Sequence, residues 1–323
     1  PTQCLDNHRG RQYFQQTNQV QCTIGSHDFF NDEEDRLVYG LLQGYPCCTC
    51  NLHQGWPKFT QHLWMASADR GLAALAYAPS RVTAKVAGGI EVTITEETGY
   101  PFFETVSFTV EAPRPVEFPL HLRIPGWCDG ASLQVNGRPQ PGELKQGSVH
   151  VVRREWKSGD RVELSLPMPL VASTWYHRSK AIERGPLVFA LDIQEDWKEV
   201  PADRPEGVPA NAMHRGHFEC RPASPWNYAL SQAATSNPAE HFRLQQADRV
   251  PANPWTRQSA PVWLQGRGVR LPYWTLVRNS ADNPPLSPVA MPPDARPEAI
   301  RLIPYGATTV RITEFPWVKG GKW

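Results

Sequence analysis

No stretch of this sequence approaches the ~20 consecutive apolar residues that a membrane-spanning helix requires, which points to a soluble protein with no membrane partner. An excess of either charge is missing as well. With 33 Lys and Arg against 32 Asp and Glu, nothing favours nucleic acid or an anionic lipid surface as a partner. There is no internal repeat and no low-complexity tract. The opening residues Pro1-Thr2-Gln3-Cys4 lack both an initiator Met and a charged-then-apolar leader, so the chain reads as the tail of something longer and its compartment stays open. An even cysteine count is lacking too. Seven cysteines, several of them clustered, argue against a disulfide framework and fit a reducing, cytoplasmic setting or a metal site better.

Breakers and large aromatics, by contrast, are abundant. The 323 residues include 32 Pro, 23 Gly and 12 Trp, a mixture that favours short strands joined by long loops and is frequent in carbohydrate-handling proteins. The length is enough for two or three domains. Cys47, Cys48 and Cys50 fall within four positions, with His53 close behind. Neighbouring cysteines close a disulfide only with strained geometry. A thiolate, once ionised by a metal or nearby positive charge, is a strong ligand and a strong nucleophile. Spacing alone leaves two readings open, a functional thiol or metal site and three small buried hydrophobes.

Residues 1–46 carry little periodicity and read mainly as loop with short helical turns; residues 11–19 are rich in amides and aromatics, groups that hydrogen-bond and stack on sugars, but read first as an ordinary polar loop. Downstream, Leu52, Trp56, Phe59, Leu63 and Trp64 recur at three- and four-residue spacing, which predicts one amphipathic helix capped by Asn51, with Trp56 in its core-facing stripe. The cysteines would then precede a helix N-terminus, where N–H groups and the dipole favour a thiolate. His53 is expected on the helix face or against a sugar. After Arg70 the period falls to two. Strands are expected over 72–78, 81–86, 90–95, 103–111, 118–124, 132–135, 148–153 and 161–166, with Asn136-Gly137 as a hairpin turn, and together they predict an antiparallel sandwich. A second β-rich unit starts near Trp175. Its strands are expected at 181–191, 262–264, 273–277, 299–304 and 308–313, with 195–260 forming long excursions.

Taken together, Cys47-Cys48-Thr49-Cys50-Asn51, His53 through Lys58, Glu183-Arg184-Gly185-Pro186-Leu187, Ile303-Pro304-Tyr305-Gly306 and Thr313-Glu314-Phe315-Pro316 resemble the β-L-arabinofuranosidase family, glycoside hydrolase family 127, and stand in the family's order. The resemblance implies a mainly β chain: the end of an (α/α)6 barrel followed by two antiparallel β-sandwich-like domains. Residues 1–68 would be the barrel remnant, 69–174 the first sandwich and 175–323 a second β-rich domain with long loops. It also implies retaining hydrolysis by a zinc-bound cysteine, with Cys47 as nucleophile and zinc contact and Cys48 as a zinc ligand. The family's upstream Glu-x-Cys ligands and acid/base glutamate have no counterpart here, and Thr2-Gln3-Cys4 does not match them. Glu33 and Glu34 are the nearest carboxylates and read as an exposed acidic turn. The chain alone is therefore expected to hydrolyse arabinofuranosides poorly. Implied partners are an arabinofuranoside-containing glycan and either the missing barrel segment or a second copy. Cys4, Cys22, Cys128 and Cys220 are expected to be spectators. Two other classes remain: a carbohydrate-binding β-sandwich protein without catalysis, and a compact structural zinc site of Cys47, Cys48, Cys50 and His53.

Overall fold

Alternating apolar and polar residues put one face of a strand toward a core and the other toward water, and from Trp64 onward this alternation organises the chain. The computed structural model describes residues 10–28, 37–40, 47, 50–51, 53–200, 216–321 and 323. It divides into two units, one of His53–Pro169 and one joining Pro1–Leu52 to Leu170–Trp323. The breaks thus fall at 52/53 and 169/170, where the sequence reading placed them at 68/69 and 174/175. The reason is strand pairing. Trp64–Ala66 pairs with Leu72–Ala74, which draws the residues before 69 into the first β unit.

In the His53–Pro169 unit, a four-stranded sheet runs in the order Trp64–Ala66, Leu72–Ala74, Val116–Ile124, Ser148–Trp156. A six-stranded sheet runs Ser80–Val86, Ile90–Thr98, Thr105–Glu111, Arg161–Ser165, Ser132–Val135, Arg138–Pro139. All eight expected strands are present, with ends shifted by a few residues. The expectation of wholly antiparallel pairing needs one correction. Leu72–Ala74 pairs in parallel with Val116–Ile124, because the chain builds three strands of the other sheet before it returns. Inward-facing residues of both sheets, among them Ile94, Phe108, Phe118, Leu120 and Trp156, form one buried cluster. The indole of Trp156 stays satisfied at the centre by donating Nε1–H to the Phe118 carbonyl at 2.9 Å. Asn136 and Gly137 turn the hairpin between Ser132–Val135 and Arg138–Pro139 with φ of 52° and 73°, the left-handed pair that a two-residue hairpin of this twist requires.

Glu96 is the more deeply buried of two buried acids in this unit, the other being Asp160. Glu96 is 2 % exposed and accepts from the Ala78 amide and the Ser80 hydroxyl, each at 3.0 Å. Burial pushes its carboxyl from the ordinary 4.5 up to about 7. Between those two values the native state keeps a proton that the unfolded chain has released, so stability falls as pH rises through the window. Each pKa unit corresponds to about 1.4 kcal/mol. Thermal melts from pH 4.5 to 8 are expected to show this decline in the wild type and to show it much reduced in Glu96→Gln. Parallel pH profiles of the two proteins would sink the assignment.

The second unit is built on an eight-stranded sheet. Its order is Leu170–Thr174, Lys180–Arg184, Leu187–Leu191, Glu298–Pro304, Val262–Arg270, Tyr228–Ser231, Trp317–Val318, with Arg243–Gln246 also paired to Val262–Arg270. Gly185, at φ 56°, turns the hairpin that joins Lys180–Arg184 to Leu187–Leu191. The stretch expected as long excursions contributes its own hairpin, Glu195–Val200 with His217–Pro222, and a short helix Gln232–Ser236 whose N–H at Ala234 is capped by the Ser231 hydroxyl. The strand expected at 273–277 is shorter, Leu276–Val277, and pairs with Ser280–Ala281.

Residues 308–313, expected as a strand, form an irregular segment after the single 3₁₀ turn Tyr305–Ala307. The Ile312 carbonyl accepts from the Leu191 amide at 2.8 Å, and other hydrogen bonds of the segment go to the N-terminal stretch. The Arg311 amide donates to the Gln19 carbonyl at 2.6 Å, and the Gln19 side chain donates back to the Thr309 carbonyl at 2.9 Å. The amide-rich residues 11–19 are therefore no ordinary polar loop. Gln12 and Gln19 are fully buried and bonded to each other at 3.1 Å. Further along, Cys22 bridges Cys220, and Tyr39 bridges Phe218, along one side of the Glu195–Pro222 hairpin.

Candidate functional site

Cys47, Cys50 and Asn51 are exposed and have helical backbone themselves. Asn51 does not cap a following helix. Its Nδ2 donates to the Cys47 carbonyl at 2.7 Å, and the helix that follows, Gly55–Thr60, is entered through Gln54 without a side-chain cap. That helix has six residues and none is buried. Trp56 is 64 % and Phe59 49 % exposed, so the expected amphipathic stripe is not folded against a core, and Trp64 leaves the helical period to start a strand. Pairing of Trp64–Ala66 with Leu72–Ala74 wins over a longer helix because it buries Leu63 and half-buries Trp64 against Phe108. His53 is exposed. Cys48, Cys4, Glu33 and Glu34 lie outside the described residues.

The other described thiols are of a different kind. Cys22, Cys128 and Cys220 are fully buried, and burial raises all three, Cys22 to about 12. A thiol so shielded is inert as a nucleophile. Zinc, implied by the resemblance, has only Cys47 of its expected ligands among the described residues. No three His, Cys, Asp or Glu side chains gather there to hold a metal, and one thiolate does not make a closed site.

A cavity of about 490 Å³ lies elsewhere, in the second unit, and three of the motifs singled out in the sequence meet on it. Glu183, Pro186 and Leu187 come from the hairpin, Tyr305 and Gly306 from the 3₁₀ turn, and Thr313 and Glu314 from the irregular segment. Trp175, Trp255 and Thr17 complete the aromatic and polar lining. The hairpin and the segment are tied together by reciprocal hydrogen bonds of 2.8 Å between Lys180 and Phe315. Asn18 clamps the same segment: its Oδ1 accepts from the amides of Thr313 at 2.9 Å and Glu314 at 3.0 Å. Arg311, 0 % exposed, anchors it from below, donating to the Gln16 carbonyl at 2.8 Å and the Tyr305 hydroxyl at 3.1 Å. Burial raises the Glu314 carboxyl above its ordinary value, and hydrogen bonds from Ser179 and Thr17 pull the other way. Sequence reasoning found the three motifs but not Trp175, Trp255 or Thr17, whose types carry no local pattern.

Residues 71–168 match the family model described as beta-L-arabinofuranosidase, GH127 middle domain. Over those residues the chain carries a GH127 middle domain. Its middle domain lies inside the His53–Pro169 unit. A curated relative, the non-reducing end beta-L-arabinofuranosidase of Bifidobacterium longum subsp. longum, is 27 % identical over 183 residues, 52 % of this chain and 27 % of that protein. Among solved structures, a GH127 beta-L-arabinofuranosidase from Geobacillus stearothermophilus T6 superposes with a TM-score of 0.64 at 21 % identity, covering 98 % of this chain and 44 % of that one. A second, described as a GH127 beta-arabinofuranosidase, gives 0.62 at 17 % identity over 98 % of this chain and 43 % of its own. The chain thus shares the fold of these proteins and spans less than half of their length.

Proposed function

We propose that this chain is part of a retaining glycosidase acting on terminal β-L-arabinofuranosides or a closely related sugar, with Cys47 as the nucleophile. The observation that supports it is the exposed Cys47 thiol, in a chain that carries a GH127 middle domain and whose Cys22, Cys128 and Cys220 are all buried. In finer architecture, the chain would join the end of an (α/α)6 barrel to two sandwich-like β domains. The Cys47 thiolate would attack the anomeric carbon, forming a C–S bond as the C–O bond to the leaving group breaks. A carboxylic acid protonates the departing oxygen, and the same group then takes a proton from the water that displaces sulfur. Two displacements at one carbon return the original configuration. Zinc would be held by Cys47 and Cys48 with ligands from other residues, and would supply a positive charge that keeps thiol ionised at neutral pH.

The test is turnover of an aryl β-L-arabinofuranoside by the chain alone and by the chain fused to the part of a matched structure that it does not cover. Activity on fusion, with the β-anomer of the product appearing first, is the expected result. A fused protein that releases the α-anomer first would overturn the retaining assignment. The second reading, carbohydrate binding without catalysis, draws on the aromatic cavity of the second unit and would be favoured by sugar binding without hydrolysis in the fused protein.

A further inference from the structure

We propose that the cavity formed by the Lys180–Leu191 hairpin and residues 305–314 binds a single neutral sugar ring, stacked on Trp175 and hydrogen-bonded to Glu183, Glu314 and Thr313. The proposal does not depend on hydrolysis at Cys47. Its volume, about 490 Å³, lies within the ~300–1,000 Å³ typical of small-molecule sites.

The walls are arranged for an amphipathic ring. Trp175 is 55 % exposed although it lines the cavity, and its indole is already fixed: Nε1–H donates to the Ser173 hydroxyl at 2.7 Å, and that hydroxyl donates to the Glu183 carboxylate. The ring face is therefore offered in one orientation at little further entropic cost. The backbone that follows Trp175 carries two successive non-glycine residues in the left-handed region, His177 at φ 52° and Arg178 at φ 59°, a costly conformation of the kind that concentrates at binding sites. Trp255 packs on Gly306 so closely that a Cβ there would come within 2.5 Å of the indole, so glycine is what lets the ring take this place.

The polar groups narrow the ligand class. Glu183 and Glu314 already receive hydroxyl donors from Ser173 and Ser179, and each keeps lone pairs for more. Thr313 is 2 % exposed, and its Oγ1 has no hydrogen-bond partner among the described residues. Hydroxyl groups satisfy such acceptors, while the C–H face of a sugar suits an indole. An anionic ligand would meet two carboxylates, with no Lys or Arg in the described lining to offset them. A purely apolar ligand would strip water from both carboxylates without replacing it. A quaternary ammonium is the remaining alternative, since it too is drawn to an indole face.

The experiment titrates the purified chain with L-arabinose, D-galactose and tetramethylammonium, read by tryptophan fluorescence and by isothermal calorimetry. Saturable binding of at least one sugar is expected, weakened about tenfold in Trp175→Ala and in Glu183→Gln and unchanged in Cys47→Ala. Trp175 is exposed and Glu183→Gln preserves side-chain shape, so circular dichroism of both variants should match the wild type. Binding of tetramethylammonium alone, sugar binding unaffected by either variant, or sugar binding lost in Cys47→Ala would each overturn the proposal, as would the absence of saturation with both sugars.

Discussion

Replacing Cys47 with alanine in the fused, full-length protein is expected to lower turnover of an aryl β-L-arabinofuranoside on the order of 10⁴-fold or more, the scale seen when a covalent nucleophile is removed. The loss should appear in kcat, because Cys22, Cys128 and Cys220 are buried, with thiols held in the protonated form, and cannot replace it. Cys50→Ala supplies the internal control, since Cys50 is as exposed as Cys47 yet has no part in the proposed chemistry. Its activity and zinc content should stay near wild type. Loss of zinc in Cys50→Ala would move the compact four-ligand site ahead. A haloacetamide should modify Cys47 before Cys128 or Cys220, and peptide mapping that finds either buried thiol labelled first would refute the assignment. The double variant Cys47→Ala, Cys48→Ala should keep its β-type circular dichroism, because the hydrophobic cluster of the His53–Pro169 unit contains neither residue.

Arg311→Met should be the most damaging single change in the second unit. The guanidinium is wholly buried and spends its donors on the Gln16 and Thr309 carbonyls at 2.8 and 3.0 Å, the Tyr305 hydroxyl at 3.1 Å and the Thr308 hydroxyl at 3.0 Å. It also lies 4.5 Å from the Tyr305 ring centroid. Methionine fills much of the volume but removes a donor from each of these acceptors; the Gln19 side chain still serves the Thr309 carbonyl, and where no other donor remains the loss costs about 1–3 kcal/mol. A total of about 3–5 kcal/mol is expected after relaxation, which corresponds to a fall in Tm of roughly 10 °C. Arg311→Lys should recover only part of it, since an ammonium lacks the planar fork that reaches several acceptors at once. A Tm for Arg311→Met equal to that of the wild type would contradict this account. The sugar site would suffer with the fold, because Arg311 fixes Tyr305 and the segment that carries Thr313 and Glu314.

How far the chain could be read in advance follows from the range of each interaction. Period-two alternation and turn chemistry act over a few residues, so the strands of the first β unit and the Asn136-Gly137 hairpin were legible, whereas the run read as one strand over 181–191 is two strands turned at Gly185. Motif order carried the family resemblance. The stripe of Leu52, Trp56, Phe59, Leu63 and Trp64 was equally regular and misled, because helical periodicity pays off only when a surface receives the stripe. Here strand pairing at Trp64–Ala66 took the end of it. Residues 308–313 have strand-like composition, yet their backbone bonds to Gln19 from the other end of the unit.

By itself, then, the sequence determined the mainly β character, the Asn136-Gly137 hairpin, the resemblance to family 127 and the choice of Cys47 as nucleophile candidate. The tertiary structure alone decided which faces found a partner: the parallel pairing of Leu72–Ala74, the burial of Gln12, Gln19 and Arg311, and the meeting of Trp175, Glu183, Trp255 and Glu314 around one cavity. Those four residues come from separate segments of the chain and share no period. Their proximity arises from sheet order and from hydrogen bonds between distant backbones, and a linear pattern encodes neither.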